Sequence, residues 1–122
     1  MHALIIEDEY FVVEALEQTL REVGFTSFDD ANCVAEAVRA ASRRCPDLIV
    51  ADYRLVDGTG AEAVLAICTG QSTPVVFVTA SGEDVRAKLP SAIIVSKPFV
   101  SGTLHGAIRE AWENPFVCHQ IS

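Results

Sequence analysis

Basic residues are scarce in this chain of 122 residues: 9 Lys and Arg stand against 17 Asp and Glu, giving a formal charge of −8. Nucleic acids and anionic membrane surfaces are held by clustered cations, so the balance argues against direct binding to either. No apolar stretch approaches the roughly 20 residues that span a bilayer, and no basic segment leads into an apolar run at the start. The expected location is the cytosol. The four cysteines, Cys33, Cys45, Cys68 and Cys118, lack any CxxC pairing or a histidine at metal-finger spacing. Zinc is therefore not expected, and free thiols in a reducing compartment are. There is no internal repeat, low-complexity segment or linker, so residues 1–122 read as a single domain, with a core to residue 114 and a tail over 115–122.

Half of the residues are apolar, and they are grouped. The runs Ala3-Leu4-Ile5-Ile6, Leu48-Ile49-Val50-Ala51, Val75-Val76-Phe77-Val78 and Ile93-Ile94-Val95 read as buried strands, with a short strand at Phe25–Phe28 completing five. Between them lie stretches of helical period. Val13, Leu16, Leu20 and Val23 form one stripe on a helix ending near Gly24, and Val34–Arg44 forms a small helix stopped by Pro46. A third helix is predicted from Gly58 to about Cys68, and a fifth from Phe99 to Glu113 with Leu104, Ala107, Ile108 and Ala111 on one face. The segment from Ser81 to Pro90 has little apolar stripe, which predicts a short or mobile fourth helix. Such alternation predicts an α/β, doubly wound, five-stranded parallel sheet with helices on both faces. Asp29, Asp30 and Asn32 are assigned to turn and cap chemistry. Tyr10, Phe11, Phe25, Phe28 and Trp112 read as core or partly covered residues, the tail from Asn114 shows no period, and His2, His105 and His119 are isolated and given no role.

Each long apolar run ends in a polar residue with chemical potential: Glu7-Asp8, Asp52, Thr79 and Lys97-Pro98. In a parallel sheet all of them emerge at one edge, where strand order reverses and ligands bind. Carboxylates about 5 Å apart repel by roughly 3 kcal/mol at an effective dielectric near 20, so three together call for a positive partner. Oxygen-only ligands select a hard cation, Mg²⁺ above all, with Mn²⁺ as a substitute. With Asp8 and Asp52 as ligands, a free oxygen of Asp52 is placed as a nucleophile towards a phosphoryl group. Lys97 would supply charge and Thr79 a hydrogen bond to the phosphoryl oxygens. The product would be an aspartyl phosphate.

Taken together these motifs resemble the receiver domains of two-component response regulators. The resemblance runs from Ala3-Leu4-Ile5-Ile6-Glu7-Asp8-Glu9, through Pro46-Asp47-Leu48-Ile49-Val50-Ala51-Asp52-Tyr53-Arg54-Leu55 and Pro74-Val75-Val76-Phe77-Val78-Thr79-Ala80, to Ser96-Lys97-Pro98-Phe99. It implies a flavodoxin-like (βα)5 fold in which Asp52 accepts phosphate from a histidine kinase or histidine phosphotransfer protein. It further implies that Asp8 and Asp52 bind Mg²⁺, that Glu7 acts nearby through water, and that the Arg54 backbone carbonyl completes the metal shell. Thr79 and Lys97 would sense the phosphate, and the peptide bond before Pro98 would be cis. Self-phosphorylation from a phosphodonor and the reverse loss of phosphate would be the only chemistry. Output would be phosphorylation-dependent partner binding or phosphorelay, by a monomer or weak homodimer.

Three departures from the family pattern bear on mechanism. Ile94 stands three residues before Lys97 where most receivers carry an aromatic switch. The interval from Thr79 to Lys97 is about four residues shorter than is common, again pointing to a reduced fourth helix. Val56 replaces the usual proline, while Asp57-Gly58 keeps the turn. A subgroup of receivers that often works with HWE-type histidine kinases is similar over Phe77-Val78-Thr79-Ala80-Ser81-Gly82. Two other readings compete. A metal-dependent phosphatase with an aspartyl nucleophile needs an acid two residues after Asp52, where this chain has Arg54. A binding module of the same fold needs no phosphate, and retention of Glu7, Asp8, Asp52, Thr79 and Lys97 counts against it.

Overall fold

A computed structural model describes residues 1–117. Five parallel strands form the central sheet: β1 (His2–Ile6), β2 (Ser27–Ala31), β3 (Leu48–Ala51), β7 (Val75–Thr79) and β8 (Ile93–Ser96). Two-residue strands β4 (Arg54–Leu55) and β5 (Gly58–Thr59) pair antiparallel after β3, as do β6 (Ser72–Thr73) and β9 (Phe116–Val117). The helices are α1 (Tyr10–Glu22), α2 (Val34–Arg43), α3 (Gly60–Ile67), α4 (Gly82–Lys88) and α5 (Ser101–Glu113). Strand order in the main sheet is β2-β1-β3-β7-β8. The order therefore reverses between β1 and β3, which opens a crevice at their carboxyl ends.

Alternation along the strands divides the core into two layers, because successive side chains point to opposite faces. Leu4, Ile6, Ile49, Ala51, Val75 and Phe77 meet Ala37 and Ala40 of α2, Val64 and Ile67 of α3 and Val85 of α4. On the other face Ala3, Ile5, Val50, Val76 and Val78 meet Val13, Leu16 and Leu20 of α1 and Leu104, Ile108 and Ala111 of α5. Each fully buried Leu, Ile or Phe contributes about 1.5–3 kcal/mol. The predicted helical stripes are thus the ones that fix α1 and α5 over the sheet. α4 has seven residues, as the meagre stripe between Ser81 and Pro90 foretold, and Val85 and Leu89 anchor it.

Several sequence expectations need correction. The second strand runs Ser27–Ala31, not Phe25–Phe28. Phe25 is instead a core residue ahead of it, and Asp29 and Asp30 lie within the strand. Polar residues are tolerated there because β2 is an edge, and main-chain pairing outweighs the apolar pattern. His2, given no role, is buried and bridges Ser27 Oγ (2.8 Å) and Asp29 Oδ2 (2.9 Å), which fixes the register of β1 against β2. Tyr10 and Phe11 are 69% and 82% exposed rather than core, since they begin α1 on its outer side. Trp112 is likewise exposed, at 45%, with its ring edge-on to Phe25. α3 begins at Gly60, where Thr59 caps it, and α5 at Ser101. Phe116 of the tail docks on the domain against the α2–α3 layer; Cys118, His119 and Ile121 lie outside the described residues. Among the described residues no disulfide forms, and no helix is long and apolar enough to cross a membrane.

Candidate functional site

Strand register assembles the site. Ile6 pairs with Ala51 and Ala51 with Phe77, while Thr79 pairs with Ser96. Glu7 and Asp52 therefore leave adjacent strands side by side, and Thr79 and Lys97 leave the next two. Backbone bonds carry the alignment one residue further: Asp52 N–H donates to the Ile6 carbonyl (2.9 Å) and Lys97 N–H to that of Thr79 (3.1 Å). The Lys97–Pro98 peptide is cis.

Carboxylate oxygens of Glu7, Asp8 and Asp52 lie within 4.8 Å of one another. Lys97 Nζ reaches into this group, donating to Glu7 Oε1 at 2.7 Å and Asp52 Oδ2 at 3.1 Å. The other Glu7 oxygen accepts the Asp8 and Glu9 N–H groups, and Asp52 Oδ1 accepts the Tyr53 N–H at 2.7 Å. Glu7 is 3% exposed, whereas Asp8 faces solvent. Burial pushes Glu7 up to about 7, with the charge of Asp52 adding to the effect and Lys97 opposing it. Burial by itself would lower the Lys97 ammonium, but its bonds to Glu7 and Asp52 prevail and hold it above its ordinary value. One ammonium thus neutralises only part of a three-acid cluster.

Such a cluster fits a hard divalent cation on the chemistry of its donors. All three are carboxylates, one is open to solvent, and the lysine already spans two of them in the role of a cation. Thr79 is buried at the same edge, where its hydroxyl accepts the Ser81 N–H at 3.0 Å. The Arg54 side chain turns to α4, donating to Ser81 Oγ (3.2 Å) and approaching Asp84 Oδ2 (3.7 Å). Glu7, Asp8, Asp52, Thr79 and Lys97 thus meet at one edge of the main sheet, as the strand pattern predicts, whereas Arg54 stands on the separate β4–β5 hairpin.

Two residues of the site were missed. A Cβ on Gly60 would lie 1.8 Å from the Asp52 carbonyl oxygen, so α3 approaches the strand end as only glycine permits. Asp57 was read as part of a turn, yet its two oxygens accept the N–H groups of Val34 (2.7 Å) and Ala35 (3.2 Å), capping α2. Gly60 belongs to the Asp-Gly-Thr-Gly run, whose glycine density was the available signal. For Asp57 no local signal existed, because its partner is 23 residues away.

Beside Lys97 a groove of about 560 Å³ runs between α1 and the start of α5, lined by Phe11, Val12, Ala15, Pro98 and Phe99.

Comparison with known proteins matches residues 3–109 to the model of the response regulator receiver domain. The KDP operon transcriptional regulatory protein KdpE of Escherichia coli is 32% identical over 114 residues, which is 90% of this chain and 50% of that protein. The transcriptional regulatory protein PdtaR of Mycobacterium tuberculosis is 34% identical over 112 residues, 88% of this chain and 55% of its own length. The chain thus spans about half the length of these curated relatives. Among solved structures, the receiver domain of PhyR from Erythrobacter litoralis superposes with a TM-score of 0.85 at 28% identity, covering 98% of this chain and 95% of that one. PhyR from Brucella abortus gives 0.79 at 28% identity over 92% of this chain and 47% of its own. With the fold, the acidic edge and the matched span in agreement, this chain belongs to the response regulator receiver domain family of two-component signalling.

Proposed function

We propose that Asp52 accepts a phosphoryl group from the phosphohistidine of a histidine kinase or histidine phosphotransfer protein. The observation that carries this reading is the convergence of Glu7, Asp8 and Asp52 around one solvent-open point, with Lys97 bridging Glu7 and Asp52. An Asp52 oxygen forms the new O–P bond as the P–N bond breaks, and the imidazole nitrogen takes up a proton on leaving. Lys97 moves from Asp52 towards the phosphoryl oxygens, and Thr79 exchanges its bond from the Ser81 N–H for one donated to the same oxygens. These contacts hold the charge that spreads over the phosphoryl group. Glu7, Asp8, Asp52 and the Arg54 carbonyl are the residues that would hold Mg²⁺, with Mn²⁺ as a substitute. The bound cation would offset the negative charge that otherwise repels a phosphoryl donor.

The apolar groove beside Lys97 gives the donor protein a surface to dock on. The domain works in the cytoplasm as a switch or relay rather than a turnover enzyme, undergoing only self-phosphorylation and loss of its phosphate. Arg54 supports that limit. It stands where an aspartyl phosphatase needs an acid, and its side chain is tied to Ser81 and Asp84. Incubation with acetyl phosphate and Mg²⁺ tests the proposal: wild-type protein should acquire one acid-labile phosphate and Asp52→Asn none. Equal labelling of the two would remove Asp52 from the mechanism.

A further inference from the structure

We infer that Asp57 is a positioning residue for the metal-binding loop, which it braces by gripping the N-terminus of α2. This rests on the reading of Arg54 as a metal-shell residue given under Proposed function. The physical basis is a mismatch between what α2 needs and what its own sequence supplies. Helix N-termini leave N–H groups without intrahelical partners, usually satisfied by a Ser, Thr, Asp or Asn side chain at the N-cap. α2 has Cys33 there, which makes no side-chain cap. Asp57 serves instead, from 23 residues away, with Oδ1 on Val34 N–H at 2.7 Å and Oδ2 on Ala35 N–H at 3.2 Å. A local cap would satisfy α2 equally well; a distant one also ties two segments together.

The segment that is tied down is the β4–β5 hairpin. Its first strand carries Arg54, paired with Thr59, two residues beyond Asp52. Its far end is fixed separately, because Thr59 Oγ1 accepts the Glu62 N–H at 3.1 Å and so caps α3. Gly60 N–H returns to the Tyr53 carbonyl at 2.6 Å. The hairpin tip between Leu55 and Gly58 therefore has Asp57 as its anchor to the opposite helix. The two N–H bonds, that of Val34 foremost, also hold the Asp57 carboxyl below its ordinary range, so the anchor is ionised at neutral pH. Asp57 touches neither carboxylates nor phosphate; it acts through the main chain of the loop, as outer supports of metal sites commonly do.

A paired substitution separates bracing from simple capping. Asp57→Ala removes both; adding Cys33→Asp gives α2 a local cap at a position whose backbone is already extended. The C33D/D57A protein should regain wild-type thermal stability yet bind Mg²⁺ about tenfold more weakly by titration, the low end of what loss of an outer support costs. Amide exchange at residues 54–59 should quicken while α2 stays protected. Asp57→Asn, which keeps one acceptor oxygen, should fall between. Mg²⁺ affinity and exchange at wild-type levels in C33D/D57A would overturn the inference. Wild-type protein that takes up no Mg²⁺ would instead overturn the underlying reading of the site, and the exchange measurement would still decide whether Asp57 braces the hairpin.

Discussion

Gly60→Ala tests how tightly the Asp52 strand end is built. The added methyl would lie 1.8 Å from the Asp52 carbonyl oxygen and 2.9 Å from its carbon, with the Phe77 ring at 3.5 Å closing off another direction. Contacts below 3.0 Å are essentially never seen for real Cβ atoms, so the backbone must separate by more than an ångström. The Gly60 N–H bond to Tyr53 at 2.6 Å resists that movement from the same side. Both obstacles are main-chain atoms, which cannot swing aside as a flexible side chain would. Forcing volume into a packed core costs about 1–3 kcal/mol, and the backbone contact puts this case at the upper end, about 3 kcal/mol. In urea the unfolding midpoint should fall by about 1–3 M. Displacing reacting groups by 1 Å can slow a reaction about 100-fold, so acetyl phosphate labelling of the folded variant should drop on that scale. A variant within about 0.5 kcal/mol of wild type that labels at the wild-type rate would show that α3 is not held against Asp52 as described.

Lys97→Met removes the ammonium that spans Glu7 and Asp52, leaving mostly buried acids without their cation. Breaking such a pair should cost about 2 kcal/mol by denaturant titration, less than a fully buried pair because Glu7 can take a proton. Mg²⁺ should bind at least as tightly to this variant while labelling slows; weaker Mg²⁺ binding would contradict the picture of lysine as a competing cation. In the absence of divalent cations, stability should fall with pH. The folded Glu7 sits at about 7 against 4.5 for the ordinary side chain, so its protonated form favours the fold below about 4.5 and that advantage disappears as pH climbs to 7. The loss is on the order of 3 kcal/mol. Asp30, raised to about 6 chiefly by burial and then by Glu17, adds a decline of the same sign over a lower window. Saturating Mg²⁺, which favours ionised carboxylates, should flatten the upper part of the curve, and stability rising between pH 4.5 and 7 without it would refute the assignment.

What the sequence disclosed was set by separation along the chain. The apolar runs at residues 3–6, 48–51 and 75–78 admit one reading because both sheet faces are covered, and their carboxyl ends then bring the acids together. Edge strand β2 defied the same logic. Ser27, Asp29 and Asp30 carry no apolar signature, and their place depends on His2, 25 residues earlier in the chain. Phe11 illustrates a different failure: an aromatic residue at the head of an amphipathic helix is taken for core, yet α1 turns it outward beside Lys97. Asp57 and Gly60 exert their effects across the fold, through a helix 23 positions away and through a main-chain carbonyl, and neither relation leaves a periodic trace.

The pairing of Phe116–Val117 with Ser72–Thr73 has a practical corollary. Those residues precede β7, whose opposite extremity bears Thr79, so the chain passes residue 117 about 20 Å away from the reacting carboxylates, six residues of extended strand at about 3.3 Å each. A fluorophore or surface tether carried on exposed Ser72 sits at the far pole, leaving the acidic mouth open to an incoming donor while the molecule is watched.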